Sequence, residues 1–205
     1  MTLDANDKSV GEDPGDDQLI VDQIVSGRKE LFRILVQRHE QAVYGMGLSF
    51  FRNSDDAADF TQEVFLKSFR SLGSFQGRSR FSTWLYRIAY NTAVNSIRRQ
   101  KEYRSLAGEA GPDDYDGLDR NFQRSSPTPE QLLLRAAAAE AVREALKDLP
   151  ERYRICVDLF FFYDRSYQEI EAITGYPVNT IKSHVFRAKK LLREKLEGIA
   201  EGGIE

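Results

Sequence analysis

Residues 182–193 gather several anion-binding side chains on one side of a helix. At about 100° per residue, Lys182, Ser183, Phe186, Arg187, Lys189, Lys190 and Arg193 fall opposite an apolar stripe of Ile181, Val185, Ala188 and Leu192. Lysine and arginine neutralise phosphates or donate to guanine, a serine hydroxyl contacts phosphate or base, and an aromatic ring can lie against a thymine methyl group. The set suits a helix laid in a major groove. Phe186 is the odd member of the row. It is either a groove contact or a core residue packed on the linker or the preceding helix, and its own helix does not decide between them.

A second face of this kind occurs in residues 82–101. Leu85, Tyr86, Ala89, Tyr90, Ala93 and Ile97 form a core side there, leaving Trp84, Arg87, Asn91, Asn95, Arg98 and Arg99 together on the other. A ring for stacking, amides for base edges and arginines for phosphate are what reading a partly opened duplex requires. Packing against a neighbouring helix would explain Trp84 equally well, but not the paired asparagines. A third face is of opposite character. In "DDAADFTQEVFLKSFRSL" the apolar stripe is Ala57, Phe60, Val64, Phe65 and Phe69, while Asp59, Gln62, Glu63 and Leu66 share the reverse side. Such a face repels DNA and suits a protein partner with basic and apolar contacts, although most charged helix faces are merely solvated.

The chain as a whole is compatible with these readings. It has 205 residues, 41% hydrophobic and 30% charged, the composition of a soluble globular protein. No apolar run approaches a membrane span and the acidic N-terminus has no signal core, so no membrane insertion and a cytoplasmic location are expected. The net charge of −3 conceals segregation: residues 1–27 and 105–119 are acidic, and residues 78–104 and 182–195 are basic. An enzyme is not indicated. His39 and His184 lie far apart, Cys156 is the one cysteine and reads as a buried small hydrophobe, and no phosphate loop, HExxH or nucleophile elbow occurs. No catalytic residue, metal site or cofactor is expected.

The elements that must position these faces are all helical. Asp16 or Asp17 can cap a short helix, "QLIVDQIVS", ended by Gly27, and a longer one follows over 29–51. Asn53 or Ser54 opens the acidic helix, which stops at Gly73, and the fourth runs over 82–101. The Gly-, Pro-, Ser- and Asp-rich stretch that follows supports no apolar periodicity and reads as a flexible linker. Thr128-Pro129-Glu130-Gln131 signals a helix start, and Ser166-Tyr-Gln-Glu169 is a capping box. Helices over 129–148, 151–163, 166–174 and 177–197 follow, the last two separated by "TGYP" as in a helix-turn-helix. The fold class is all-α: an acidic tail (1–15), a helical domain (16–101), an acidic linker (102–128) and a second helical domain (129–199).

"SDDAADFTQEVFLKSFRSLGSFQGRSRFSTWLYRIAYNTAVNSIRRQK" and "LPERYRICVDLFFFYDRSYQEIEAITGYPVNTIKSHVFRAKKLLREKL" together resemble an extracytoplasmic-function (ECF) sigma factor of the sigma-70 superfamily. The resemblance implies a promoter-specificity subunit that binds core RNA polymerase, through its clamp helices and flap, and promoter DNA, and that is held by an anti-sigma factor. It implies polymerase docking for Asp59, Gln62, Glu63 and Leu66. It gives the loop "FQGRSRF", with Phe75, Arg78, Ser79 and Phe81, the capture of a base flipped from the −10 element, and Trp84, Asn91, Asn95 and Arg98 the reading and melting of that element. Lys182, Ser183, His184, Phe186, Arg187 and Lys190 fall on the positions that bind the −35 element. In this family the linker threads toward the RNA exit path. His184 stands where the family usually has arginine, which weakens phosphate contact at neutral pH, and the acidic tail exceeds that of the minimal member. The alternatives are a stand-alone helix-turn-helix regulator and a sigma mimic that titrates an anti-sigma protein. The first has no use for "DFTQE" with "FSTWLYRIAYNTAVN", and the second none for a basic recognition helix.

Overall fold

The computed structural model describes residues 14–107, 142, 145–146 and 148–202, and among these every regular element is helical. The acidic tail, most of the linker and the Thr128-Pro129 helix start lie outside the described residues.

Helix α1 spans Pro14–Val25, α2 Phe32–Phe51 after a 3-10 turn at Lys29–Leu31, and α3 Ser54–Ser71. Asn53 is the cap of α3, its side chain accepting from the Asp55 and Asp56 amides at 2.8 and 3.1 Å. Asp17 does not cap α1: the helix begins at Pro14, and the Asp17 carboxylate turns inward to His39 and Arg38. Helix α4 spans Phe81–Ala107, six residues beyond the sequence expectation. No glycine or proline interrupts 82–107, and Arg98 and Glu102 form an i, i+4 pair at 3.9 Å.

The core of this domain is built from α2, α3 and α4, with Leu35, Val43, Val64, Leu85 and Ala89 fully buried. Phe69, expected in the stripe of α3, is instead 38% exposed and lies edge-on to Phe32 at 4.9 Å. Helices α2 and α3 cross closely at Gly47. A Cβ there would lie 2.8 Å from the Phe60 ring and 3.1 Å from the Ala57 backbone.

In the second domain α5 spans Glu151–Val157, α6 Tyr167–Thr174 and α7 Val178–Gly202. The helix expected over 151–163 widens into a π-helical turn at Asp158–Phe162, where the Tyr163 amide donates to the Asp158 carbonyl. That extra residue per turn keeps Asp158 inside while Phe161 is 50% exposed. The Ser166–Glu169 capping box forms as expected, and Gly175, at φ 75°, ends α6 in the left-handed region. Ile181, Val185 and Ala188 are buried, as the stripe on α7 requires.

The two domains are packed on each other, which the sequence did not disclose. Tyr86 and Tyr90, assigned to the core side of α4, have their outer ends covered by the second domain: Tyr86 meets the Tyr163 ring at 5.5 Å, and the Tyr90 hydroxyl lies 3.5 Å from that of Tyr176. One apolar core therefore runs from Leu35 through these tyrosines to Ile170, Ile173 and Ile181. A smaller cluster of Leu146, Leu149, Tyr153, Val157 and Ala188 completes the second domain.

Gly47→Ala is expected to lower stability by about 1–3 kcal/mol through overpacking. Gly73→Ala, with nothing within 4 Å of the added Cβ, should be near neutral. Urea unfolding of both variants checks this.

Candidate nucleic-acid interface

The apolar stripe of α7 is held down on α5 and α6, so the opposite side of the helix is forced outward. Lys182, Ser183, Phe186, Arg187, Lys189 and Lys190 are all exposed, and Phe186 is 70% exposed. The ring is not core. Its neighbours are held lightly: Lys190 pairs with Glu194 at 3.8 Å, Lys189 lies over the Phe161 ring at 4.9 Å, and Arg187 donates to the Tyr153 hydroxyl at 3.4 Å. These contacts orient the cations without neutralising the face.

His184 departs from this set. It is 8% exposed, with its ring against Tyr153 at 5.0 Å and Tyr176 at 5.5 Å, and its Nδ1 lies 3.7 Å from Cys156 Sγ. It follows Ile181 by three positions and so shares the buried stripe, packed inside and off the exposed face on which the sequence placed it. Burial, then the charges of Arg152 and Arg187, hold its pKa below the ordinary value. Burial pushes the Cys156 thiol up to about 12, the state of an inert core thiol.

On α4, Arg87, Asn91, Asn95 and Arg98 are exposed on one side. Trp84 begins that side but is half-buried, at 5.3 Å from Phe75 and 5.7 Å from Phe81, themselves edge-to-face at 5.9 Å. The three rings form a platform at the foot of the loop 76–80, which is exposed throughout. Arg78 and Ser79 stand in that loop. Phe81 is 3% exposed and supports the platform without being able to meet a base itself.

On α3, Asp59, Gln62, Glu63 and Leu66 are all exposed, Leu66 by 57%. The face is less acidic than its composition, because Glu63 pairs with Lys67 at 2.6 Å. Leu66 and Gln62 form one wall of an open groove of about 680 Å³ floored by Phe32, Val36, Phe65 and Phe69. The exposure of Phe69 belongs to this groove.

The junction between the domains brings together groups that sequence reasoning passed over. Arg165, 7% exposed, donates to Ser82 Oγ at 3.0 Å, lies 3.5 Å from Glu169, and covers the Tyr86 ring at 5.2 Å. Thr83 donates to Glu169 at 3.0 Å, Tyr163 to the Ala42 carbonyl at 3.1 Å, and Ser49 to Asp158. Burial alone would raise the Glu169 pKa. The hydrogen bonds from Ser166 and Thr83 and the charge of Arg165 outweigh it, and the carboxyl sits below its usual range. Ser82 and Thr83 carry no periodic apolar signal, so only docking could reveal them. The α4 face of Arg87, Asn91, Asn95 and Arg98 and the α7 face of Phe186 remain free of this junction.

Two helical domains, each exposing a cationic helix face with an aromatic ring in or beside it, define a DNA-binding protein of bipartite design. Residues 35–103 match the Sigma-70 region 2 family model and residues 139–192 the Sigma-70, region 4 model. The chain is 35% identical over 188 residues to the ECF RNA polymerase sigma-E factor of Escherichia coli K12, covering 88% of this chain and 94% of that one. It is 33% identical over 185 residues to the RNA polymerase sigma-H factor of Pseudomonas aeruginosa, with 88% and 94% covered. Among solved structures, RpoE of Bartonella quintana, in complex with the anti-sigma factor NepR, superposes with a TM-score of 0.65 at 25% identity, covering 81% of this chain and 96% of that one. The chain belongs to the ECF sigma factors of the sigma-70 family. It is a promoter-specificity subunit of RNA polymerase. Among the described residues no helix is long and apolar enough to cross a membrane.

The depressed His184 pKa fixes the sign of a pH effect. As pH falls the unfolded chain takes up the proton first, so the stability tied to neutral His184 is whole above about pH 6.5 and is lost as pH drops through 6.5 toward the folded value. Thermal melts across that window should show a declining melting temperature, with a shallower slope in His184→Leu.

Proposed function

We propose that the domain of residues 16–101 docks on the polymerase clamp helices and opens the −10 element, while the domain of residues 129–199 reads the −35 element. The observation that carries this reading is Phe186: a phenylalanine 70% exposed within a row of exposed cations serves no packing purpose and has the chemistry of a thymine-methyl contact. Lys182, Ser183, Arg187 and Lys190 accompany it on the groove-facing side, the long cations on phosphates and Ser183 on phosphate or base. On α4, Asn91 and Asn95 meet base edges while Arg98 meets the backbone, and Arg78 and Ser79 of the loop hold the flipped base against the Phe75–Trp84 platform. Docking to polymerase rests on Leu66 and Gln62 beside the apolar groove, with Asp59 and Glu63 at its polar rim. Exposed Leu66 and Phe69 beside polar side chains suit a protein partner with apolar and basic contacts.

The Bartonella RpoE structure is a complex with an anti-sigma factor, and CnrH, at 24% identity and a TM-score of 0.61 over 89% of this chain and 97% of its own, was solved with the cytosolic domain of CnrY. We extend that control to this chain: an anti-sigma protein holds it when it is not on polymerase. A stand-alone regulator would have no use for the α2–α3 groove, and nothing favours that reading.

In vitro transcription with core polymerase and genomic DNA tests the assignment, and the absence of new start sites without any inhibitor would overturn it. Phe186→Ala should cost about 1 kcal/mol or more at one −35 position and leave the melting temperature unchanged. Lys190→Ala should weaken binding to all sequences alike and reduce the slope of log K against log salt by about 1. Leu66→Glu should lower affinity for core polymerase about tenfold with free DNA binding unaltered.

A further inference from the structure

The buried pair of Asp17 and His39 belongs to none of the three interfaces, yet it lies directly behind one of them. Asp17, on α1, is 6% exposed and His39, on α2, is fully buried. Their Oδ2 and Nε2 atoms are 2.7 Å apart, and Arg38 Nη1 donates to the other carboxylate oxygen at 2.9 Å. Burial works against the charge on Asp17, but the hydrogen bonds and charges of His39 and Arg38 prevail and hold its pKa below the ordinary value. The imidazole they orient rests on the Phe81 ring at 5.3 Å, and Phe81 in turn supports Phe75 and Trp84. A continuous path of contacts thus runs from a carboxylate on α1 to the aromatic platform at the foot of the loop 76–80.

Helix α1 touches that loop a second time. Gly77 has φ 65°, and Gln18 Oε1 lies 2.9 Å from the point a Cβ at Gly77 would occupy. The Gln18 amide is itself tied down, donating from Nε2 to Asp22 at 2.9 Å. The loop is therefore braced at its foot through Asp17, His39 and Phe81, and at its apex through Gln18. Apolar packing of α1, through Ile20, Val21 and Ile24, would suffice to hold the helix in place. A buried carboxylate aimed at an imidazole is a costly addition to a purely structural helix and brings what packing lacks, a fixed ring orientation.

We infer that Asp17 and His39, with Gln18, are positioning residues for strand opening: they hold the aromatic platform and the loop 76–80 in the geometry that captures a flipped base. The inference rests on the −10 reading of that loop. A loop that must receive one extruded base gains from being set beforehand, because ordering it on binding would subtract from the free energy available for opening.

Trp84 is the only tryptophan in the chain, so intrinsic fluorescence reports on the platform. The variants are Asp17→Asn, which preserves size, His39→Phe, which keeps an aromatic ring but removes the polar nitrogens, and Gln18→Ala, which spares the buried pair and leaves a good helix former. In reconstituted holoenzyme each should bind core polymerase and a −35 duplex as the parent does. Each should form open complexes about tenfold less well, the scale of one lost positioning contact, with weaker discrimination at the captured −10 base and, in the free protein, shifted Trp84 emission. A promoter with a pre-opened −10 bubble should restore opening and leave the base discrimination impaired. Gln18→Ala keeps the test decisive if the buried variants fold poorly. Unchanged Trp84 emission and base discrimination in folded variants, with only melting temperature lowered, would overturn the inference. Arg78→Ala and Ser79→Ala separate the two failures: if they too leave −10 discrimination intact, the loop is not the base-capture site and the inference falls with that reading.

Discussion

Helix α4 must satisfy three neighbours at once, and the rest of the structure depends on how it divides its circumference. One side, with Leu85, Ala89 and Ala93, fills the core of the first domain. A second, with Ser82, Thr83, Tyr86 and Tyr90, receives the second domain. The remainder carries Arg87, Asn91, Asn95 and Arg98 into solvent. The small alanines on the core side let α2 and α3 approach, and the tyrosines at the junction combine a large apolar body with a polar tip. A helix so committed has no spare face, which explains why Trp84 sits at a boundary, half in the aromatic platform and half beside the arginines.

Beside the apolar core that the two domains share, their junction carries a set of buried polar groups. Arg165, Asp158, Glu169, Ser49, Ser82 and Thr83 meet there. Buried charges of this kind add little net stability over an apolar contact of the same shape, but removing one partner strands the other at a cost of several kcal/mol. The polar contacts therefore fix how the domains meet, while the shared apolar core supplies the adhesion.

Much of this was legible from residue types and spacing. The Asn53 cap, the Ser166–Glu169 box and the stripes on α4 and α7 depend on neighbours three and four residues away, and such local rules were sufficient for them. Phe186 was ambiguous in sequence because one aromatic in a cationic row fits either a groove contact or a misplaced core residue. Its exposure follows from how α5 and α6 cover the other side of α7. His184 and Phe81 misled for the opposite reason: each lies beside true surface positions, but a rotation of one residue, about 100°, carries it into the interior. Phe69 was misassigned because the groove it lines needs α2 as its other wall.

The sequence by itself determined an all-helical fold class, the order of its elements, the segregation of its charge and which cationic and acidic helix faces are left to solvent, because helix periodicity and capping are written within a few residues. Only the tertiary structure decided that the two domains meet through Arg165, Asp158 and Glu169, that Asp17 seeks His39 instead of a helix end, and that the platform of Phe75, Phe81 and Trp84 is braced from α1. These contacts join residues 22 to 109 positions apart. A buried polar group is stable only when a partner of the right geometry arrives from elsewhere, and no local pattern records where that partner will come from.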